Sequence, residues 1–107
     1  MATDSGVDVE LRVADVPFIA GARQLAEQGF TPGGSRRNLD WASGQLDAGS
    51  TDETTVLMLA DAQTSGGLLF GAEPDAAELA VADLRASGHE AALVGRLEQG
   101  TGRLRLR

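Results

Sequence analysis

Two glycine-rich segments hold the residues best suited to chemistry. The first runs Thr31-Pro32-Gly33-Gly34-Ser35-Arg36-Arg37-Asn38. Paired glycines expose backbone N–H groups that can cradle an anion. Two adjacent guanidinium groups add fork-shaped donors that match phosphate. The same residues also fit a Pro-Gly turn and a helix cap at Ser35, with Arg36 and Arg37 in water. The segment is not a Walker A loop, because it lacks the GK[ST] ending. The second segment runs Asp61-Ala62-Gln63-Thr64-Ser65-Gly66-Gly67. Its hydroxyls and open backbone suit an anion or the close approach of another chain segment. A tight connection between two elements would call for the same glycines.

Composition limits what these segments can do. The chain has 107 residues and a formal net charge of −7, and all nine of its basic residues are arginine. With no cysteine, it can form no disulfide, thiolate metal site or thiol nucleophile. With no lysine, it has no Schiff-base or phosphate-contacting ammonium. A Ser-His-Asp triad could draw only on His89. That residue follows Gly88 and reads as an exposed group near a helix C-terminus. The acidic balance disfavours nucleic acid as a partner. No apolar run is long enough for a membrane helix. The first residues, Met1 to Asp8, lack the basic start and apolar run of a secretory signal. The expected location is the cytoplasm, with no membrane partner.

The elements that must position these segments follow from periodicity. Val7, Val9, Leu11 and Val13 alternate with charged residues, as in a half-buried strand. Asp15 and Pro17 open a helix expected over 16–28 and closed by Gly29. A turn-rich stretch from Gly29 to Asn38 leads into a short helix through Trp41, a residue expected in the core or at an interface. Residues 43–52 read as a surface loop. The run Val56 to Ala60 fits either helix or strand, and Leu68-Leu69-Phe70 is strand-like. Pro74 starts a helix whose buried stripe is Ala77, Leu79 or Ala80, Val81 and Leu84, and Gly88 ends it. Strands are expected over 91–97 and at Leu104 to Leu106, the latter with Arg103, Arg105 and Arg107 on the solvated face of an edge. The fold class is α/β (α+β): a mixed, mostly antiparallel sheet with packed helices, in the order β-α-(loop)-β-α-β-β. The length fits one domain, and the 28 apolar side chains larger than alanine build only a small core.

Taken together, the two segments resemble those of selenide, water dikinase, the selenophosphate synthetase family. Pro32-Gly33-Gly34-Ser35-Arg36-Arg37-Asn38 is similar to that family's Pro-Gly-Gly-(Ser/Thr)-x-x-Asn segment. Asp61-Ala62-Gln63-Thr64-Ser65-Gly66-Gly67-Leu68-Leu69 is similar to its Asp-Pro-Gln-Thr-Ser-Gly-Gly-Leu-Leu segment, with Ala62 where the family usually has proline. Gly88-His89 and Ala91-Ala92-Leu93-Val94-Gly95 continue the same order. The resemblance runs from about Ser5 to Leu106.

The resemblance implies a C-terminal domain of the aminoimidazole ribonucleotide synthetase-like fold. It implies that the chain starts at Met1-Ala2 inside that domain, one strand and one helix short. The family's enzyme makes selenophosphate from selenide, ATP and water, releasing AMP and phosphate. Its reactive Cys or selenocysteine, its lysine and its Mg²⁺- and ATP-binding aspartates belong to an N-terminal domain that these residues do not include. The implied cofactors, ATP and Mg²⁺, therefore belong to the parent enzyme, and no metal or catalytic residue is assigned here. Candidate contacts to the phosphate cleft or domain interface are Gly33, Gly34, Ser35, Arg36, Arg37 and Asn38, with Gln63, Thr64, Ser65, Gly66 and Gly67. The expected partners are the ATP-binding domain and, through an exposed face, a second copy. The other reading is a stand-alone, non-catalytic binding or self-associating module of the same fold.

Overall fold

The computed structural model describes residues 2–107, and Met1, where the resemblance puts the start, lies outside them. The chain begins with a short helix α1 (Ala2–Ser5) and strand β1 (Val7–Leu11), followed by a 3₁₀ turn at Val13–Asp15. Helices α2 (Ala22–Glu27) and α3 (Gly33–Ala42) come next, then strand β2 (Leu46–Asp47) and helix α4 (Glu53–Leu59). Helix α5 (Pro74–Ala86) and strands β3 (Gly95–Gln99) and β4 (Leu104–Leu106) complete it. The result is an α+β fold on a four-stranded mixed sheet of order β2-β4-β1-β3.

The sheet departs from the expected antiparallel majority. Only β1 with β3 runs antiparallel, whereas β1 with β4 and β2 with β4 run parallel. Strand β4 is therefore interior, not an edge. It is flanked by β2, two residues of the stretch expected to be loop.

One sheet face is apolar. Val9 lies opposite Leu97 and Leu104, and Leu11 opposite Gly95 and Leu106. Helix α4 covers part of this face, so that Leu11, Val56 and Leu106 form the buried core, ringed by Val13, Val16, Leu39, Leu46 and Leu59. The opposite face carries Asp8, Glu10, Arg96, Glu98 and Arg105.

Three helical expectations change. The helix read over 16–28 shrinks to α2, because Asp15 pairs with Arg12 rather than capping a helix. Gly21 then starts α2 in a left-handed conformation, φ 84°. The ambiguous run at 56–60 is helical because Asp52 caps it, its carboxylate accepting from the Thr55 N–H at 3.1 Å. Helix α5 forms over the expected residues but buries none of them, and Leu79 is 68% exposed. It faces the sheet across an apolar cavity of about 1880 Å³ lined by Val9, Leu97, Phe70, Ala77, Val81 and Leu84 among others. Trp41, expected in the core or at an interface, is 85% exposed on α3. Leu68-Leu69-Phe70 forms no strand.

The helix stops are as the glycines require. Gly29 and Gly88 both take positive φ. At Gly88 the N–H reaches Arg85 C=O and the His89 N–H reaches Leu84 C=O, each at 3.0 Å. This is a Schellman closure. His89 is exposed, as read from the sequence.

Candidate functional site

The two glycine-rich segments, 26 residues apart, meet in space. Pro32 stands at the N-cap of α3 with extended backbone, and Gly33, Gly34 and Ser35 form the first turn. Ser35 does not cap this helix. Its hydroxyl, 1% exposed, donates to Asp61 Oδ1 at 2.7 Å and accepts from the Ala62 N–H at 3.4 Å. One turn later, Asn38 Nδ2 donates to the Ala60 carbonyl at 3.0 Å. Ala60 caps the C-terminus of α4, where carbonyls lack helical partners, so Asn38 satisfies one of them. Gly34 faces Ala62 so closely that a Cβ on it would lie 2.7 Å from the Ala62 Cβ. Gly34, Ser35 and Asn38 thus form the joint that fixes the end of α4 and the start of the second segment against α3.

What the joint leaves outward is basic and rich in donors. Arg36 and Arg37 are exposed and make no hydrogen bond or ion pair within the described residues. The Arg37 guanidinium folds back over the glycine pair, 3.8 Å from the Cβ positions of Gly33 and Gly34. The Ser35 N–H closes on the Pro32 carbonyl at 3.0 Å, which leaves the Gly33 and Gly34 N–H groups as the open donors of α3, where the helix dipole adds positive potential. The second segment leaves Asp61 as an exposed loop. Gln63 tucks its side chain against Gly66, where a Cβ would meet Gln63 Oε1 at 2.6 Å. Thr64 and Ser65 are exposed, with hydroxyls unbonded within the described residues.

Two further clusters hold the frame. On α2, Arg23 donates to Glu27 Oε1 at 2.9 Å, to Thr55 Oγ1 at 2.7 Å and to Asp52 Oδ1 at 3.1 Å. The Thr55 hydroxyl, followed by the Thr55 N–H and Arg23, brings the Asp52 carboxyl down to about 2. At the other end of the sheet, Asp8 is 7% exposed. Its Oδ1 accepts from the N–H groups of Thr101, Gly102 and Arg103 at 2.8, 3.2 and 3.0 Å, and its Oδ2 from Arg105 at 2.6 Å. The Arg103 and Thr101 N–H bonds hold the Asp8 carboxyl below its ordinary range, against the opposing effect of burial. Arg105 is therefore not part of a solvated ladder: it is half-buried on the carboxylate that folds the β3–β4 turn.

Sequence reasoning missed Asp8, Asp52 and Asp61 as organising residues. Asp52, three residues before Thr55, carried a capping signal at the edge of a stretch read as loop. Asp61 opens the second glycine-rich segment, but its sequence neighbours carry no sign of a partner 26 residues away. Asp8 had no local signal, since its partners lie more than ninety residues away. Among the described residues, no group of three or more His, Cys, Asp or Glu side chains is placed to hold a metal ion. Among the same residues, no helix is long and apolar enough to cross a membrane.

The fold and site thus define a small α+β domain in which two glycine-rich segments join at a part-buried Ser–Asp hydrogen bond beneath a basic helix end. No family model matches the chain. It is similar to the selenide, water dikinase of Rhizobium meliloti (strain 1021), with 39% identity over 99% of this chain and 31% of that protein. The selenide, water dikinase of Pelobacter propionicus is 41% identical over 88% of this chain and 27% of its own length. That of Clostridioides difficile (strain 630) is 36% identical over 89% and 28%. The chain is thus similar to selenide, water dikinases over most of its own residues and spans under a third of the length of these curated relatives.

Proposed function

We propose that this chain is the C-terminal domain of a selenophosphate synthetase, whose complete enzyme makes selenophosphate from selenide, ATP and water and releases AMP and phosphate in the cytoplasm. The observation that carries this reading is the Ser35–Asp61 joint. The two segments that resemble the family's are the two that the fold locks together. In such an enzyme the domain lies beside the ATP-binding part and closes one wall of the phosphoryl-transfer cleft. Phosphoryl transfer depends mainly on positioning and charge neutralisation. The groups on offer for this are the Gly33 and Gly34 N–H groups, Arg36 and Arg37, and the loop of Gln63, Thr64, Ser65, Gly66 and Gly67. Ser35 and Asn38 position these groups rather than touch substrate, since their side chains are committed to Asp61 and Ala60.

The donor set fits an anion and does not fit a divalent cation. Mg²⁺, ATP and the selenium-handling thiol or selenol belong to the partner domain in this reading. These 107 residues contain neither cysteine nor lysine, so the chain alone should form no AMP from ATP and selenide. Detectable selenide-dependent AMP formation by the purified chain would sink that part of the reading. The positive test is a chimera in which this chain replaces the matching part of the Rhizobium meliloti enzyme. Retained activity, lost on Arg36→Ala with Arg37→Ala, supports the assignment. A folded but inactive chimera, or activity indifferent to both arginines, overturns it.

A further inference from the structure

Helix α5 carries an apolar stripe yet buries none of its residues. Ala77, Val81 and Leu84 line one side of the cavity of about 1880 Å³, and Val9, Leu97 and Leu104 of the sheet line the other. Protein interiors are close-packed, with few voids larger than a water molecule. A gap of this size between two apolar faces is therefore a missing layer of core, not a packing defect. It also exceeds the roughly 300–1,000 Å³ of sites for small organic ligands. A helix as long as α5, which has 13 residues, extends about 20 Å and is 10–12 Å across, so it encloses about 1,500–2,200 Å³. The cavity has the volume of one such helix.

The charge on its walls is one-sided. Glu73, Glu78, Asp83 and Glu90 line the cavity from α5 and its two ends, and none has a side-chain partner among the described residues. On the sheet side, Arg12 is paired with Asp15, and Arg96 with Glu10 and Glu98. An occupant thus meets apolar surface on two sides and a row of unpaired carboxylates along α5. On the synthetase reading above, we propose that the cavity seats an amphipathic helix supplied by the part of the enzyme outside these residues. That helix is about as long as α5, apolar toward the sheet and toward Val81 and Leu84, and basic along the edge beside Glu78 and Asp83.

Three observations favour this occupant. First, the chain spans 31% and 27% of two of its curated relatives, so most of such an enzyme lies outside it and holds ample sequence for one more helix. Second, Trp41, Leu68, Leu69 and Phe70 stand exposed around the cavity. Contiguous apolar surface of this kind marks interaction sites, and a groove between two apolar walls is what an amphipathic helix fills. The chain's own segment 68–70 does not fill it, since it makes no backbone bond to either wall. Third, the unpaired carboxylates select a basic edge, because like charges set against each other across an interface cost binding energy. The same face of a second copy would set carboxylate against carboxylate.

Trp41 is the one tryptophan of the chain and lines the cavity, so its fluorescence reports the test. Synthetic peptides of about 20 residues, long enough for such a helix, are tiled over the part of the Rhizobium meliloti enzyme outside the match and titrated into the 107-residue chain. One peptide with a basic edge is expected to shift the Trp41 emission to the blue and to raise the melting temperature by about 5 °C or more at saturation. Val81→Asp and Leu84→Asp should each weaken that binding at least about tenfold. Glu78→Lys with Asp83→Lys should weaken it by a similar factor, most at low salt. Leu79→Asp, at a residue 68% exposed and outside the cavity lining, should leave it unchanged. Circular dichroism checks that each variant folds, and where Val81→Asp or Leu84→Asp does not, the exposed Glu78 and Asp83 pair decides. If no peptide binds, the proposal is overturned, while the synthetase reading stands or falls separately on the activity of the chimera. Binding indifferent to the Glu78 and Asp83 exchange overturns it, as does binding that Leu79→Asp abolishes. A Trp41 blue shift that grows with the concentration of the chain alone would assign the cavity to a second copy and overturn it as well.

Discussion

The Ser35 hydroxyl donates to Asp61 Oδ1 at 2.7 Å, and this bond joins the two glycine-rich segments. Ser35 is among the most buried residues of the chain, at 1% exposure. Its removal leaves a carboxylate oxygen and the Ala62 N–H without their partner. Bonds to charged groups are worth about 1.5–3 kcal/mol. Ser35→Ala should therefore lower the melting temperature by about 6–15 °C in a domain of this size. Asp61→Ala should cost a similar amount, and the double variant little more than either single one, because both remove one interaction. Additive losses by thermal melting would show that the two residues act separately.

The close approach of Gly34 to Ala62 gives a second, reciprocal test. A Cβ at position 34 would lie 2.7 Å from the Ala62 Cβ, inside any tolerable contact. Neither backbone can retreat easily, because Ser35 and Asn38 bind on the two sides of this point. Gly34→Ala should destabilise by about 1–3 kcal/mol through overpacking, despite the helix propensity that alanine adds. Ala62→Gly in the same chain removes the opposing methyl and should return most of the loss. A Gly34→Ala variant as stable as the parent in urea would show that α3 and Ala62 approach less closely than this contact requires.

The acid limb of the stability curve should report the cap of α4. Asp52 has its pKa brought from the ordinary 3.8 to about 2, chiefly by the Thr55 hydroxyl and N–H and then by Arg23. A carboxyl with a depressed folded-state pKa stabilises the fold fully above its unfolded value. That contribution fades as pH falls toward the folded value. The gap in melting temperature between the parent and Asp52→Ala should thus be constant near neutrality and narrow between pH 3.8 and about 2. Asp8, lowered by the Arg103 and Thr101 N–H bonds, adds a loss of the same sign. A gap unchanged down to pH 2 would exclude Asp52 as the source.

These tests also mark how far the sequence reaches. Val7 to Leu11, the stops at Gly29 and Gly88, and the helix from Pro74 were legible because each depends on residues within one turn or one alternation. The site segments were legible as segments. Their joint was not, because it needs Ser35 and Asp61 brought together by the packing of α3 on α4. The direction of β4 was hidden for the same reason. Arg103, Arg105 and Arg107 alternate as an edge strand would, yet Asp8 at the other end of the chain draws Arg105 inward. The stripe on α5 reads as a buried face, yet none of its residues is buried. No local signal shows that it faces a cavity instead of the sheet.

Glycines separate architecture from chemistry in the last prediction. At Gly95 a Cβ would collide with the Glu10 carbonyl oxygen and lie 3.0 Å from its carbon and 3.1 Å from Leu11 Cα. All of these are backbone atoms of the paired strand β1. Gly95→Ala must therefore separate β3 from β1, and should destabilise the fold by about 1–3 kcal/mol or more. At Gly67 a Cβ meets nothing within 4 Å, and its φ is not positive. Gly67→Ala should leave the melting temperature unchanged or slightly raised, since alanine restricts the unfolded chain. The proposed role of the loop gives this neutral substitution a second readout. If backbone at Gly67 approaches a phosphate, the added methyl should raise the KM for ATP of the dikinase chimera while its stability holds. A Gly67→Ala chimera with parental kinetics would remove that residue from the cleft and leave Arg36 and Arg37 as the groups to pursue.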